Sequence, residues 1–246
     1  MTDKKIQTDE SFKELLKRIS KEDLKVWENT LRQGTIAQQL IPNSVAVGGT
    51  AVALYTGHRI SLDVDNLLFD LRKTFQEILD TLENTENWKT VRLAAPNLIL
   101  GRLNSAEIGF RQIKYQTQIE TVTMETPYGI ITVPAFHELL CMKTVLIYLR
   151  NTTRDFLDFY ALAMLLTENE VVNLLLDIEN RFTGITSNNL VLEISKTLAS
   201  AQPIDLSKTN LSSYKALDKK YSNWDTIRVF CERIAALLTQ KLLEKE

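Results

Sequence analysis

The stretch VAVGGTAVALYTGHRISLDVD, residues 45–65, carries the reading of the fold. Val45-Ala46-Val47 is a short apolar run that reads as a buried strand, and Gly48-Gly49 reads as the tight turn that ends it. Thr50 to Tyr55 then suits a short helix, closed by Gly57. Leu62 to Phe69 reads as a second strand. On it Asp63 and Asp65 stand two positions apart, so both carboxylates leave the same face. Side by side they repel unless a cation lies between them. Mg²⁺ suits that place, because it takes one or two carboxylates and completes its shell with phosphate oxygens and water. The glycine pair leaves backbone N–H groups at the positive end of a helix. Such a turn suits a phosphate, with the Thr50 hydroxyl as an extra donor.

Upstream, residues 8–40 are helical in pattern. Thr8 or Asp9 caps a segment with apolar Phe12, Leu15, Leu16 and Ile19, and Ser20 opens a second start that runs through Leu24, Trp27 and Leu31. Downstream, Leu71 to Leu82 is an amphipathic helix. Residues 90–133 alternate and are rich in β-formers, with strands expected at 90–93, 98–103, 107–115, 119–124 and 130–133. From Pro134 onward helical spacing dominates, with helices expected at 135–149, 153–167, 168–182, 187–200 and 222–245. Residues 201–221 read as loop. The expected architecture is α+β, with a sheet-bearing region at 1–133 that includes the N-terminal helices, and a helical region at 134–246.

Composition narrows the class. The chain has 246 residues, 44% of them hydrophobic, enough for a real core. Lys and Arg number 29 against 31 Asp and Glu, a net charge of −2, which argues against a surface that is basic all over but leaves room for a local basic patch. Cys141 and Cys231 lie far apart with no C-x-x-C spacing, so reduced buried thiols are expected rather than a zinc site or disulfide. The N-terminus, MTDKKIQTDESFKELLKR, has no apolar core segment of a signal peptide. No apolar run approaches the ~20 residues that cross a bilayer, so a cytoplasmic protein without a membrane partner is expected.

The segment GGTAVALYTGHRISLDVD resembles the signature of the AbiEii/AbiGii type of nucleotidyltransferase toxins, members of the polymerase-β-like nucleotidyltransferase superfamily. A second block, KTVLIYLRNTTRDFLD at 143–158, is similar to that family's helical K…R…RD-x-x-D motif. The two blocks fall within residues 45–166, about half of the chain. The resemblance implies a nucleotidyltransferase fold with a mixed, mostly antiparallel sheet flanked by helices, plus a helical C-terminal half. It implies Mg²⁺-dependent transfer of NMP from an NTP to an acceptor, tRNA or protein. It also implies the toxin of a toxin–antitoxin or phage-defence system, with a cognate antitoxin as partner. Asp63 and Asp65 would hold the metal; Gly48, Gly49 and Thr50 would cradle phosphate; Lys143, Arg150 and Asp158 would bind nucleotide, and Lys143 would take part in catalysis. Lys143 and Arg150, two helical turns apart, would face one groove.

Superfamily members usually add a third carboxylate from a later strand, just before an aromatic residue. Here that position, before Phe110, is Gly109. Glu107 stands two residues back on the same face, about 7 Å along the strand, and is expected to supply the third metal ligand and the base; Glu120 and Glu125 are weaker candidates. Two other functions stay open: nucleotidyl transfer to a small molecule, and a non-catalytic module that keeps the fold and binds nucleotide or a partner. Several residues also have plainer readings. Lys143 suits a snorkelling surface lysine, Arg154 and Asp158 an i,i+4 surface pair, and Asp155 and Asp158 a hold on Arg150 and Arg154. His58 suits a structural hydrogen bond, Arg59 a pin for its turn, and Trp27, Trp88 and Trp224 the core or its rim.

Overall fold

The computed structural model describes residues 8–113, 119–182 and 189–244. The chain divides into two compact units, Met1–Lys114 with Glu120–Ala135, and Tyr115–Ile119 with Phe136–Glu246.

The first unit opens with helices α1 (Thr8–Arg18) and α2 (Lys21–Leu40). Ser20 caps α2 by accepting the Asp23 amide at 3.0 Å, the start expected from the sequence. There follow β1 (Val45–Val47), α3 (Gly48–Thr56), β2 (Asp63–Leu68) and α4 (Leu71–Glu83). Strands β3 (Trp88–Ala94), β4 (Leu98–Leu103) and β5 (Ala106–Gln112) complete a five-stranded sheet in the order β1-β2-β5-β4-β3. Only β2 and β5 run parallel; the other three pairings are antiparallel. The sheet is therefore mixed and mostly antiparallel, as expected. A separate hairpin joins β6 (Thr121–Thr126) to β7 (Gly129–Pro134).

β2 alternates between buried and part-exposed residues, and with its neighbours β5 and β4 it gives the sheet one buried and one more open face. Val64, Asn66 and Leu68 of β2, Ile99 and Leu103 of β4, and Ile108 and Phe110 of β5 are buried. Helix α2 packs on this side, where Gly34 lets it approach so closely that a Cβ there would stand 3.0 Å from Val64. The Trp88 indole lies where a Cβ on Gly101 would fall, and its Nε1 donates to the Thr90 hydroxyl at 2.9 Å. That contact starts β3 two residues before the expected Thr90. The other face of the strands carries Asp63, Asp65, Glu107, Gly109 and Arg111.

The second unit is helical: α5 (Phe136–Arg150), α6 (Thr153–Ala163), α7 (Glu168–Leu176), α8 (Ile178–Arg181), α9 (Leu190–Ser200) and α10 (Trp224–Leu243). The helix expected at 153–167 stops at Ala163 because Thr167 begins α7 with a capping box closed by Glu170. The helix expected at 168–182 breaks at Asp177, where α8 begins. The first residues of the helix expected at 187–200, 187 and 188, lie outside the described residues, as do the last two of the strand expected at 107–115. The loop-like stretch 201–221 holds three short 3₁₀ turns. Aromatic packing closes this core: Tyr160 meets Phe230 at 5.1 Å and Tyr221 at 5.7 Å, and Phe156 meets Trp224 at 5.7 Å. Both cysteines are free and buried. Burial pushes the Cys141 thiol up to about 12 and raises Cys231 as well, so neither is a thiolate at neutral pH. Among the described residues, no single helix is long and apolar enough to cross a membrane.

Candidate functional site

The antiparallel pairing of β1 with β2 sets Val47 opposite Asp65. The chain therefore leaves β1 and turns at Gly48 directly beside the second aspartate. Gly48 sits at φ +72, a left-handed conformation, and a Cβ there would stand 3.8 Å from Asp65 Oδ2. A Cβ would make only ordinary contact there; the backbone is what demands glycine. Gly48→Ala is therefore expected to lower stability by about 1–2 kcal/mol through strain alone. Urea unfolding checks this, with Gly48→Asn costing less because Asn tolerates that region better.

Helix α3 begins at this bend with no side-chain cap on its first turn. The Thr50 hydroxyl donates to the Asp63 carbonyl oxygen at 2.5 Å, and Thr50 is fully buried. A hydroxyl has one proton, so here it serves β2 rather than a phosphate. Its effect is to lock the start of α3 to the aspartate strand. The donors this bend could offer to a phosphate are then its backbone amides, at the uncapped start of α3. At the far end of α3, Gly57 is a left-handed C-cap whose N–H reaches the Ala53 carbonyl at 2.8 Å, and whose carbonyl accepts from Arg18. His58 is fully buried, with Nδ1 2.7 Å from the Thr56 hydroxyl. The buried Arg59 donates to the Ile60 carbonyl at 3.1 Å. Both residues build the turn.

Asp63 and Asp65 leave β2 on its open face, each half-buried. Ser61 donates to Asp63 Oδ1 at 2.6 Å. Asp65 divides its two oxygens. Oδ2 lies toward the Gly48 bend, and Oδ1 accepts from Arg111 Nε at 3.0 Å. Two half-buried carboxylates from one strand face, beside an amide-lined bend, are the hard oxygen donors that Mg²⁺ takes, with phosphate and water left to complete its shell.

Glu107 pairs in register with Asp63 on the parallel strand β5 and shares its face, with Cα atoms about 4.8 Å apart. Its side chain is exposed, and no group of three His, Cys, Asp or Glu side chains among the described residues is placed to hold one metal ion. The expected three-acid group of Asp63, Asp65 and Glu107 is thus not drawn together in this structure. Gly109 pairs with Asp65, and the place a side chain on Gly109 would enter is filled by Asp65 Oδ1, 2.6 Å from that Cβ position. Glu120 and Glu125 lie outside this sheet, the latter on β6.

The open face continues away from the acids as a row of cations. Arg102 of β4 pairs with Glu107, and Lys89 of β3 pairs with Arg102. A bulge between Thr90 and Arg92 then adds one residue to β3, so that Arg92, not Val91, pairs with Leu100 on the same face. Lys89, Arg92, Arg102 and Arg111 are all exposed. Sequence reading missed this stripe, since its members come from three strands and one depends on the bulge.

In the second unit, Lys143 is buried, which excludes the snorkelling reading. Its Nζ meets Asp158 Oδ2 at 2.7 Å and Asp155 Oδ1 at 3.9 Å, with the three side chains 3%, 0% and 4% exposed. The Thr152 hydroxyl donates to Asp155 Oδ2 at 2.7 Å. Helix α6, which carries both acids, is pinned at its start by Asp205, which accepts from the Thr153 amide at 2.7 Å and its hydroxyl at 2.8 Å. Burial works to raise the Asp205 carboxyl, but these bonds, with others from its own amide and the Thr209 hydroxyl, hold it below the usual value. Arg150 is exposed at the end of α5. The two basic residues expected in one groove thus have different surroundings, and both acids gather on Lys143.

The sheet order and the place of the paired aspartates beside the diglycine bend define a nucleotidyltransferase fold. Among solved structures, the chain is similar to a candidate nucleotidyltransferase from H. pylori, with a TM-score of 0.55 and 15% identity, covering 93% of this chain and 99% of that one. An antigenic nucleotidyltransferase-like protein from Paracoccidioides brasiliensis gives a TM-score of 0.43 at 17% identity, over 62% of this chain and 88% of that one. The first likeness shows the fold; the second is too slight to add to it. No family model matches the chain. Among curated proteins, the mycolic acid-containing lipids exporter MmpL11 of Mycolicibacterium smegmatis is 26% identical over 126 residues, half of this chain. The chain spans 13% of that protein's length.

Proposed function

We propose that this protein is a Mg²⁺-dependent nucleotidyltransferase that moves NMP from an NTP to an RNA acceptor, with tRNA the expected case. The observation that carries the reading is the junction of Asp63 and Asp65 with the Gly48–Gly49 bend on one face of β2. In the reaction, an acceptor oxygen bonds to the α-phosphorus as the bond from that phosphorus to the oxygen of the β-phosphate breaks. Pyrophosphate leaves, and the acceptor proton passes to solvent. The metal, when bound, offsets charge on the phosphate oxygens. Asp63 and Asp65 hold it, Ser61 and Thr50 fix their strand, and the bend amides donate to phosphate.

The cation stripe favours a polyanionic acceptor over a protein side chain or a small metabolite. Lys89, Arg92 and Arg102 point from the open face; Arg102 stands opposite Glu107 in the strand register, yet none of the three forms an ion pair among the described residues. Reversal of all three to Glu is expected to weaken RNA binding and to flatten the slope of log affinity against log salt by about two to three. Filter binding over a salt series checks this, and the melting temperature should stay near that of the wild type. The resemblance of the 45–65 and 143–158 blocks to AbiEii-type toxins adds the role of a toxin in a toxin–antitoxin or phage-defence pair. Each labelled NTP, incubated with Mg²⁺, the protein and cell extract, tests the whole reading. Label on RNA supports it; label on protein or metabolites redirects the acceptor; label nowhere favours a binding module of the same fold.

A further inference from the structure

The Arg111–Asp65 pair occupies ground that a second metal ion would need. In a two-ion site, one aspartate commonly bridges both ions with its two oxygens, and a third carboxylate completes the second ion's shell. Here Asp65 Oδ1 is bound by the Arg111 guanidinium at 3.0 Å, and Oδ2 faces the diglycine bend. The third-carboxylate position is Gly109, and it cannot take a side chain unless Asp65 moves, because Oδ1 stands 2.6 Å from where a Cβ would be. Glu107 is the remaining acid on this face, and it is not gathered with the aspartates. Asp65 Oδ2 is therefore the oxygen that faces the bend, while Oδ1 already has a tethered cation beside it.

We propose that Arg111 takes the place of the second metal ion, so that the site binds one divalent cation per nucleotide. Arg111 is a positioning residue for Asp65, fixing the rotamer that aims Oδ2 at the bend, and its permanent charge lies beside the phosphates. The guanidinium suits this task because it stays protonated and its planar fork holds a carboxylate at a set angle. Its side chain is 44% exposed and that of Asp65 29%, so a nucleotide can reach the pair. Lysine at the same position would keep the charge but lose the fork.

This inference rests on the proposed function, and the experiment separates the two. Mn²⁺ is titrated into the protein with the α,β-methylene analogue of each NTP, and bound Mn²⁺ and bound nucleotide are counted by electron paramagnetic resonance and equilibrium dialysis. The expected result is one Mn²⁺ per bound nucleotide in the wild type. Arg111→Met is expected to weaken Mn²⁺-nucleotide binding about tenfold, Arg111→Lys to recover part of that loss, and both to melt like the wild type. Two ions per nucleotide in the wild type overturn the inference and leave the proposed function standing. So does unchanged binding in Arg111→Met. No binding of any Mn²⁺-nucleotide by the wild type ends both.

Discussion

Asp65→Asn is expected to lower nucleotidyl transfer on the order of a thousandfold, about 4 kcal/mol of transition-state stabilisation, while the protein melts as before. The substitution keeps volume and keeps an oxygen for Arg111, but it removes the charge that Oδ2 offers toward the Gly48 bend. Asp63→Asn is expected to act the same way. Ser61 can still donate to the amide oxygen, and the Thr50 bond is to the Asp63 backbone, so the strand remains anchored. Transfer is measured with whichever NTP and acceptor the labelling experiment identifies, and Mn²⁺ binding is measured alongside. Wild-type transfer in both variants would remove the paired aspartates from the reaction. Loss of transfer together with a lower melting temperature would instead mark them as structural, supporting the β1–β2 pairing.

The part of this site that was legible in the sequence is the part made by neighbours along the chain. Asp63 and Asp65 share a face by strand period alone, and Gly48 follows from a short apolar run that must turn. The third position was not legible in the same way. Glu107 lies beside Asp63 as strand alternation suggested, but whether it joins the acids depends on how Asp65 turns over Gly109, a contact between residues 44 apart in the chain. Thr50 was read as a ligand donor because a hydroxyl follows the glycines; only the structure shows its proton committed to the Asp63 carbonyl. The cation stripe is a still longer-range feature. With nearly equal numbers of acids and bases, the chain has no basic segment to notice, and the pattern emerges only when three strands align and the β3 bulge turns Arg92 onto the face of Lys89 and Arg102.

Helical spacing had the same limit in the second unit. It placed Lys143 and Arg150 on one side of α5, yet it could not distinguish the buried end of that side from the exposed one. The clue is in the company each keeps: Lys143 lies amid Leu139, Leu140, Cys141, Met142 and Val145, all buried, whereas Arg150 falls at the helix terminus. A lysine in so apolar a run must be paired, and Asp155 and Asp158, one and four residues beyond Arg154, supply the pairing.

That burial sets the largest expected effect on stability. Asp158→Ala leaves the Lys143 ammonium in the core with Asp155, at 3.9 Å, as its one acid partner among the described residues, and is expected to cost about 3–5 kcal/mol. Lys143→Met is expected to cost a similar amount, because the two buried carboxylates then lose the ammonium they share. The double variant Lys143→Met/Asp158→Leu removes both charges and fills the volume, so most of the loss should return; burying an apolar pair is often no worse than burying an ion pair. Urea unfolding without nucleotide measures all three. Equal, unperturbed unfolding in both single variants would show that the pair is not held in the core as described. Recovery of the fold in the double variant without recovery of transfer would separate two contributions that the resemblance alone merges. The charge of Lys143 would then be needed for more than holding α5 to α6.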